Sequence, residues 1–329
     1  MMFNIKYIDF KRLNEYIDLY FSDKISKWQR LAIKIDFMYS VIRDGAGMND
    51  YFEYEFYKKR HNERQTFIVR RKRKLIADKF NNKRKIVDFS DKSKFNRLFK
   101  KFVKRDWIDL DTSTIDDVRA FLLKNPSFLI KPKTESCGIG IKVIHSSGVN
   151  EAEKILSSFK GRHVLAEEIL IQQGSVHDLH PESLNTLRIV TVRLSEKDVR
   201  IMNANIRIGI DERIQDNFHQ EGIAASVDVE TGIVNSAGCD MHLNHHLIHP
   251  VTGEKIIGYK IPQWKEAVKM AKQAAQIVPE VSYVGWDIAT SCEKYGVVIV
   301  EGNPDSDTDV QQMCDQIGKW PQYKELLLK

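Results

Sequence analysis

Four cysteines in 329 residues, Cys137, Cys239, Cys292 and Cys314, form no C-x-x-C pair, so neither a zinc knuckle nor a dithiol redox centre is encoded. Long apolar runs are missing as well. Segments such as Val297–Val300 and Ile169–Ile171 fall far short of the roughly 20 apolar residues that a membrane-crossing helix requires. The amino terminus lacks the positive, apolar, small-residue order of a signal peptide, and a cytoplasmic protein is the resulting expectation. No Gly-x-x-x-x-Gly-Lys-Ser/Thr loop occurs, and Gly138-Ile139-Gly140 lacks the third glycine of the dinucleotide fingerprint. A Gly-x-Ser-x-Gly elbow is absent too. P-loop NTPases, standard nicotinamide dehydrogenases and serine hydrolases of the elbow type are therefore set aside.

An apolar share of 42% and a charged share of 29% suffice for packed cores under a wetted surface, which excludes global disorder. Soluble cores divide beyond roughly 250 residues, so two or three units sharing one cleft are expected. The formal net charge of +6 conceals a split: residues 1–110 carry 28 Lys and Arg against 15 Asp and Glu, the remainder 23 against 30. The densest run, Arg70-Arg71-Lys72-Arg73-Lys74 with Lys79, Lys83, Arg84 and Lys85, suits a polyanion, an anionic membrane surface or a solvated helix face. No zinc-finger spacing, RNP-like aromatic motif or helix-turn-helix accompanies it, which disfavours nucleic acid.

Leu13, Ile17, Leu31 and Ile35 recur at helical spacing among charges, and residues 1–110 read as a basic, mainly helical lead-in or cap. Ser113 or Thr114 can cap a helix with Asp116 and Asp117 in its first turn, stopped at Asn125-Pro126. Phe128-Leu129-Ile130 and Ile141-Lys142-Val143-Ile144 then form a strand and its antiparallel return, within a lobe spanning 111–182. Strands at 187–195, 199–210, 222–229 and 232–235, a helix from Trp264 to Val278, and paired strands Tyr283–Ala289 and Val297–Glu301 build a second lobe over 183–329. The expected architecture is α+β.

Chemistry concentrates in the loop between the first two strands. Lys131 can stand at a fixed distance from a phosphate, Gly138 and Gly140 let loop amides close on an anion, and Lys142 adds a second charge; an ordinary glycine hairpin is the alternative. In Val164-Leu165-Ala166-Glu167-Glu168-Ile169 the apolar start suits a purine. The backbone at Glu168 and Ile169 can offer the adenine edge a donor and an acceptor, and one acid of the Glu167-Glu168 pair can touch ribose or a cation. Gly285-Trp286-Asp287 and Glu301-Gly302-Asn303 carry Asp287, Glu301 and Asn303 on adjacent strands, three oxygen ligands that suit one or two magnesium ions. Trp286 reads as a packing residue. Arg188 and Arg207 supply planar donors for phosphate or acyl phosphate oxygens, or else surface salt bridges. On the substrate side the candidates are Asn185, Asp216, Asn217, His219 and His249. Cys137 is the alternative nucleophile, without an assigned histidine beside it.

The order of these pieces, Lys131-Pro132, Cys137-Gly138-Ile139-Gly140, Glu167-Glu168, Ser183 through Arg188, Asn205 through Gly209, Asp216-Asn217, Gly285-Trp286-Asp287 and Glu301-Gly302-Asn303, resembles the sugar-transfer associated ATP-grasp family from about Phe128 to Gln312. The resemblance implies an ATP-grasp fold in which 111–182 is the nucleotide-binding lobe, mobile and bearing Lys131, with the adenine hinge near Glu168. The lobe at 183–329 would hold magnesium at Asp287, Glu301 and Asn303, with Arg188 close to phosphate and Arg207 on phosphate or substrate. Glu135-Ser136-Cys137 departs from the more glycine-rich turn expected there. The resemblance also implies an ATP-dependent ligase, associated with surface polysaccharide or sugar-conjugate biosynthesis. A small-molecule or glycoconjugate carboxylate would take the terminal phosphate of ATP as an acyl phosphate, and an amine or another nucleophilic acceptor would displace it, leaving ADP and phosphate. A sugar kinase and a noncatalytic polyanion-binding protein stay open, as do peripheral contact with the inner face of a membrane and the oligomeric state.

Overall fold

The computed structural model describes residues 9–21, 25–135, 138–210 and 222–328. Two antiparallel sheets carry the architecture. The smaller consists of β1 (Trp107–Asp109), β2 (Ser127–Pro132), β3 (Lys142–His145) and β4 (Val164–Glu168), in the order β1-β4-β2-β3. The larger contains β5 (Thr186–Arg193), β6 (Val199–Ile208), β7 (Ile223–Ser226), β8 (Gly238–Cys239), β9 (His245–His246), β10 (Tyr283–Cys292) and β11 (Gly296–Pro304), in the order β11-β10-β5-β6-β7-β8-β9. With the helices around them this is the α+β fold that the sequence pattern implies.

Helix Ile115–Lys124 begins where local chemistry dictates. Thr114 Oγ1 accepts from the Asp117 N–H at 3.2 Å, and the Asp117 carboxylate accepts from the Thr114 N–H at 2.8 Å, a reciprocal cap reinforced by Asp116 in the first turn. With helix Ala152–Phe159 it covers the smaller sheet, and Val118, Phe121, Phe128, Ile130, Ile155 and Ala166 form their common core.

In β10 the two-residue period separates core from cleft. Val284, Trp286 and Ile288 enter the principal core, which places Gly285 and Asp287 on the opposite face. Trp286 is fully buried, gives its indole N–H to Thr191 Oγ1 at 2.9 Å, and packs against Phe89 and Phe99 from the short basic helices Lys83–Ser90 and Lys92–Leu98 and the residue that follows them. Those helices thus bury an aromatic face on the sheet and turn Lys83, Lys85 and Lys94 outward. Helix Trp264–Ala274 packs into the same core through Ala267, Ala271 and Ala274, small side chains that let a helix lie close to a sheet.

The helical first third is joined to the larger sheet. Leu13, Ile17, Phe37, Tyr51 and Phe52 share a core with Ala224, Cys239, Met313 and Cys314. The expected boundary at 110 also needs correction, because Trp107 pairs with Glu167 and Ile108 with Ala166: β1 lies within the supposed lead-in yet is an edge strand of the smaller sheet. A three-residue strand leaves no periodic trace in sequence, and only its distant partner reveals it.

Candidate active site

A cleft of about 350 Å³ opens between the two sheets. Leu129, Ile169, Leu170, Leu184 and Val300 give it apolar walls, while Lys131, Arg188, Arg207, Asp287, Glu301 and Asn303 supply the polar groups.

Sheet register assembles the side contributed by the larger lobe. Asp287 lies opposite Arg188 of β5 on one flank and opposite Glu301 of β11 on the other. Arg188 Nε stands 2.5 Å from Asp287 Oδ1 and Nη2 3.2 Å from Oδ2. Arg207 Nη2 reaches Oδ2 at 3.0 Å, and the Asn303 amide donates to the same oxygen at 3.2 Å. Arg207 is held in turn by Thr186 Oγ1 at 2.8 and 3.2 Å. Burial alone would raise the Asp287 carboxyl, but the charges of Arg188 and Arg207 overcome it and hold the group below its ordinary value. Two glycines make room for this layout. A Cβ on Gly285 would come within 2.3 Å of Ser306 Oγ and 2.9 Å of Arg188 Cδ; one on Gly302 would meet Phe95 Cε2 at 2.8 Å and Trp286 Cζ3 at 3.0 Å. The glycines of Gly-Trp-Asp and Glu-Gly-Asn are thus spacers, one beneath Arg188 and one beneath the aromatic layer.

From the smaller sheet comes Lys131, whose Nζ lies 2.7 Å from Glu167 Oε2. Arg105 Nε reaches the same oxygen at 3.1 Å, and the Asn96 amide donates to Oε1 at 2.9 Å. Arg105 also donates to the carbonyls of Ile299 and Val300 at 3.0 and 3.1 Å, so one guanidinium joins β4 to β11 across the back of the cleft. Burial lowers the Lys131 pKa and Arg105 repels its charge, while Glu167 and, more weakly, Glu301 oppose the shift. Burial would raise the Glu167 carboxyl, yet Arg105 and Lys131 drive it strongly downward. The cluster is an ionised triad that aims one ammonium at the cleft.

The turn between β2 and β3 adopts positive φ at Gly138 (71°) and Gly140 (79°), and Gly138 and Ile139 line the cleft. Lys92 anchors this turn through its ammonium to the Glu135 carbonyl and its N–H to the Lys133 carbonyl. Near the apolar walls, the Glu168 carboxylate accepts from Tyr295 Oη at 2.6 Å, Lys294 Nζ at 3.1 Å and the Asp106 N–H at 2.8 Å. Burial opposes ionisation there, and these donors outweigh it.

Several expected site residues lie elsewhere. Glu167 sits behind the cleft wall, consumed by the triad, and supports Lys131. Lys142 is exposed on β3 opposite Ile130 and does not line the cleft; Gly140 shapes the turn from outside it. Asn185 is buried, with its N–H on Gln172 Oε1 at 2.8 Å and its amide on the Val176 and His180 carbonyls at 2.8 and 3.1 Å; it ties loop to sheet and has no free face for a substrate. His249 is fully buried, its Nε2 2.7 Å from the Gly209 carbonyl and its Nδ1 accepting from the Thr252 N–H at 3.2 Å, so packing claims it. The backbone offer at Glu168 is narrowed, because its N–H donates to the Asp106 carbonyl at 2.9 Å. Asp216, Asn217, His219 and Cys137 fall outside the described residues.

Conversely, Arg105 and the acidic stretch Asp305, Asp307 and Asp309 stand at the cleft without having been expected there, as does Arg73, expected only as part of the basic run. Arg73 donates to the Asp305 carbonyl at 2.8 Å and pairs with Asp307 at 2.5 Å. Alternate acids directly after Glu301-Gly302-Asn303-Pro304 were a visible signal; Arg73 and Arg105 were hidden among many other basic residues.

A magnesium ion fits the donor set. Asp287, Glu301 and Asn303 carry hard oxygens on neighbouring strands; those of Asp287 are held by Arg188, Arg207 and Asn303, while the Glu301 carboxylate makes no hydrogen bond or ion pair among the described residues. No group of three or more His, Cys, Asp or Glu side chains gathers as a metal cage among the described residues. Two carboxylates and an amide suit an ion that completes its shell with phosphate and water.

No curated protein matches the chain in sequence. Similar solved structures include the ATP-grasp ligase PsnB with a minimal precursor, at TM-score 0.46 and 12% identity over 76% of this chain and 64% of that one. N5-carboxyaminoimidazole ribonucleotide synthetase from Thermotoga maritima gives TM-score 0.39 and 13% identity over 67% of this chain and 43% of that one. An L-amino acid ligase from Bacillus licheniformis gives 0.39 and 11% over 66% and 41%. This chain thus spans less than two thirds of each. The family model for sugar-transfer associated ATP-grasp proteins matches residues 57–326, beginning well before the first recognisable motif and running through both sheets; the chain belongs to the sugar-transfer associated ATP-grasp family.

Proposed function

We propose that this protein joins a carboxylate to a nucleophilic acceptor, an amine in the first instance, at the expense of ATP, with ADP and phosphate as products. The carrying observation is the two-sided cleft: Lys131 on the smaller sheet faces Arg188, Arg207 and the Asp287, Glu301 and Asn303 oxygens on the larger. A polyphosphate needs cations placed before it arrives, because charges fixed in a site of reduced polarity do not have to reorganise during reaction. The Glu167 and Arg105 contacts hold the Lys131 ammonium in place. Leu129, Leu170, Leu184 and Val300 form the apolar slot suited to a purine, beside the Ile169 backbone. Asp287, Glu301 and Asn303 would hold magnesium, which supplies neutralising charge to phosphate oxygens.

Arg188 and Arg207 then orient the substrate carboxylate and the terminal phosphoryl group for in-line attack. A carboxylate oxygen bonds to the terminal phosphorus as its bond to the ADP oxygen breaks, giving an acyl phosphate. The acceptor nitrogen next bonds to the acyl carbon, the carbon–oxygen bond to phosphate breaks, and the nitrogen proton passes to solvent. Ile139 and the Gly138 turn stand where they can exclude water from that intermediate. A carboxylate on a small molecule or glycoconjugate, in surface polysaccharide or sugar-conjugate biosynthesis, is the substrate class put forward.

The test is to incubate purified protein with ATP, magnesium and panels of sugar acids, amino acids and amines, following ADP, phosphate and coupled product together. Stoichiometric ADP, phosphate and amide support the proposal. AMP with pyrophosphate, or labelled terminal phosphate retained in a stable sugar phosphate, would replace it with adenylation or with a kinase.

A further inference from the structure

Helix Lys27–Arg43 is apolar on two opposite sides. Phe37 and Val41, with Ile33 against them, face the core that contains Tyr51 and Phe52. Trp28, Leu31, Ile35, Tyr39 and Ile42 face solvent, with Trp28 80%, Ile35 60% and Ile42 59% exposed. At helical spacing these five side chains occupy an arc of about 80° and reach along about 21 Å of the axis. No charged residue interrupts that arc in the sequence. A contiguous exposed stripe of this kind marks a contact surface.

Charge identifies the occupant. Lys27 and Lys34 flank one rim of the stripe and Arg43 the other, while Asp36, the single acid of the helix, is engaged by the Arg64 guanidinium at 2.8 Å and the Tyr51 hydroxyl at 2.7 Å. A second copy of the chain would therefore bring lysines against lysines with no free acid from this helix between them. An anionic lipid surface offers complementary charge on both rims, and indole and phenol rings suit the headgroup region. No helix among the described residues is long and apolar enough to cross a membrane, so the contact is in-plane. The basic run at 70–85, the more conspicuous candidate in sequence, is partly spent inside the fold: Lys72 binds the Gln65 and Phe67 carbonyls at 2.6 and 2.9 Å, and Arg73 is turned to the cleft.

We propose that helix Lys27–Arg43 docks the protein on an anionic membrane, with Trp28, Leu31, Ile35, Tyr39 and Ile42 inserted at headgroup level and Lys27, Lys34 and Arg43 on the lipid phosphates. This surface is independent of the ATP chemistry, and its failure would leave the ligase proposal intact. The experiment is cosedimentation of the full chain with vesicles of phosphatidylcholine alone and of phosphatidylcholine mixed with phosphatidylglycerol, at low and high salt. Binding is expected only with the mixed vesicles, weakened by salt. Trp28→Ala with Ile35→Ser should weaken it by about tenfold or more. Lys27→Glu with Lys34→Glu, which leaves the apolar stripe intact, should weaken it comparably. All replaced side chains lie at or near the surface, and matched circular dichroism melts check the fold. Absence of binding to mixed vesicles, or binding by either variant as tight as that of the unaltered protein, overturns the proposal. Dimerisation in sedimentation equilibrium that Ile35→Ser abolishes, without vesicle binding, would assign the stripe to a second copy instead.

Discussion

Replacing Glu167 with glutamine should harm the fold more than any comparable change on the cleft surface. The carboxylate side chain is 1% exposed and stands against Arg105 and Lys131, themselves 3% and 13% exposed. Glutamine keeps the shape and removes the charge, leaving two cations facing each other where water is scarce. Breaking a buried pair from one side costs roughly 3–5 kcal/mol; the two carbonyls that Arg105 still holds place the expectation near the lower end, about 3 kcal/mol. That is a large share of a typical stability of about 5–15 kcal/mol. Guanidinium unfolding at neutral pH should show a lower midpoint with an unchanged slope. The pH dependence supplies a second check. Although burial would raise it, the Glu167 pKa is driven below its ordinary 4.5 by Arg105 and Lys131, so its contribution is fully present above 4.5 and is lost as the pH falls through the depressed folded value. The gap between wild type and Glu167→Gln should therefore narrow in acid. Adding Arg105→Met should recover part of the loss, since one unpaired cation goes with it. A midpoint shift worth under about 1 kcal/mol, or a gap that does not narrow below about pH 4.5, would refute the triad as the support of Lys131.

Gly285→Ala should push Ser306 and Arg188 aside, costing about 1–3 kcal/mol in stability but lowering kcat/KM for ATP turnover by roughly 100-fold through misplacement of Arg188; Ser306→Gly in the same chain should restore part, and unchanged kinetics would show that Arg188 does not need this position. Glu301→Gln should raise the magnesium concentration for half-maximal ADP release by about tenfold or more with little change in melting temperature, because the Glu301 carboxylate makes no hydrogen bond or ion pair among the described residues and acts on Lys131 and Arg188 only through charge; an unaltered magnesium dependence removes it from the metal site. His249→Ala should destabilise the fold by about 1–3 kcal/mol and leave the KM for carboxylate and acceptor unchanged. Burial lowers the His249 pKa from 6.5, so its contribution is present above 6.5 and declines as the pH falls through the folded value, a loss that paired melts of wild type and variant at neutral and mildly acidic pH would reveal.

Legibility from sequence varied with the range of the interactions. The hairpin bearing Lys131 and the strands bearing Asp287, Glu301 and Asn303 were readable because alternation, glycine turns and short loops are local properties. Leu13, Ile17, Leu31 and Ile35 show where such reading stops. All four mark helices correctly, yet Leu13 and Ile17 are buried while Leu31 and Ile35 are exposed, since periodicity identifies a face without saying what covers it. Asn185 and His249 have polar side chains that suggested substrate contact; buried carbonyls needing donors and acceptors took them first.

The order of chemical groups along the chain, the helical character of the first third and the strand-borne placement of the candidate phosphate and magnesium residues were determined by the sequence alone, because they follow from neighbours a few residues apart. Only the tertiary structure decided that Glu167 turns inward to Arg105, that Arg73 reaches Asp307, that Trp107–Asp109 joins the smaller sheet, and that helix Lys27–Arg43 keeps a second apolar face uncovered. Each of those depends on which distant surfaces exclude water from one another, and burial between remote segments leaves no spacing rule in the sequence.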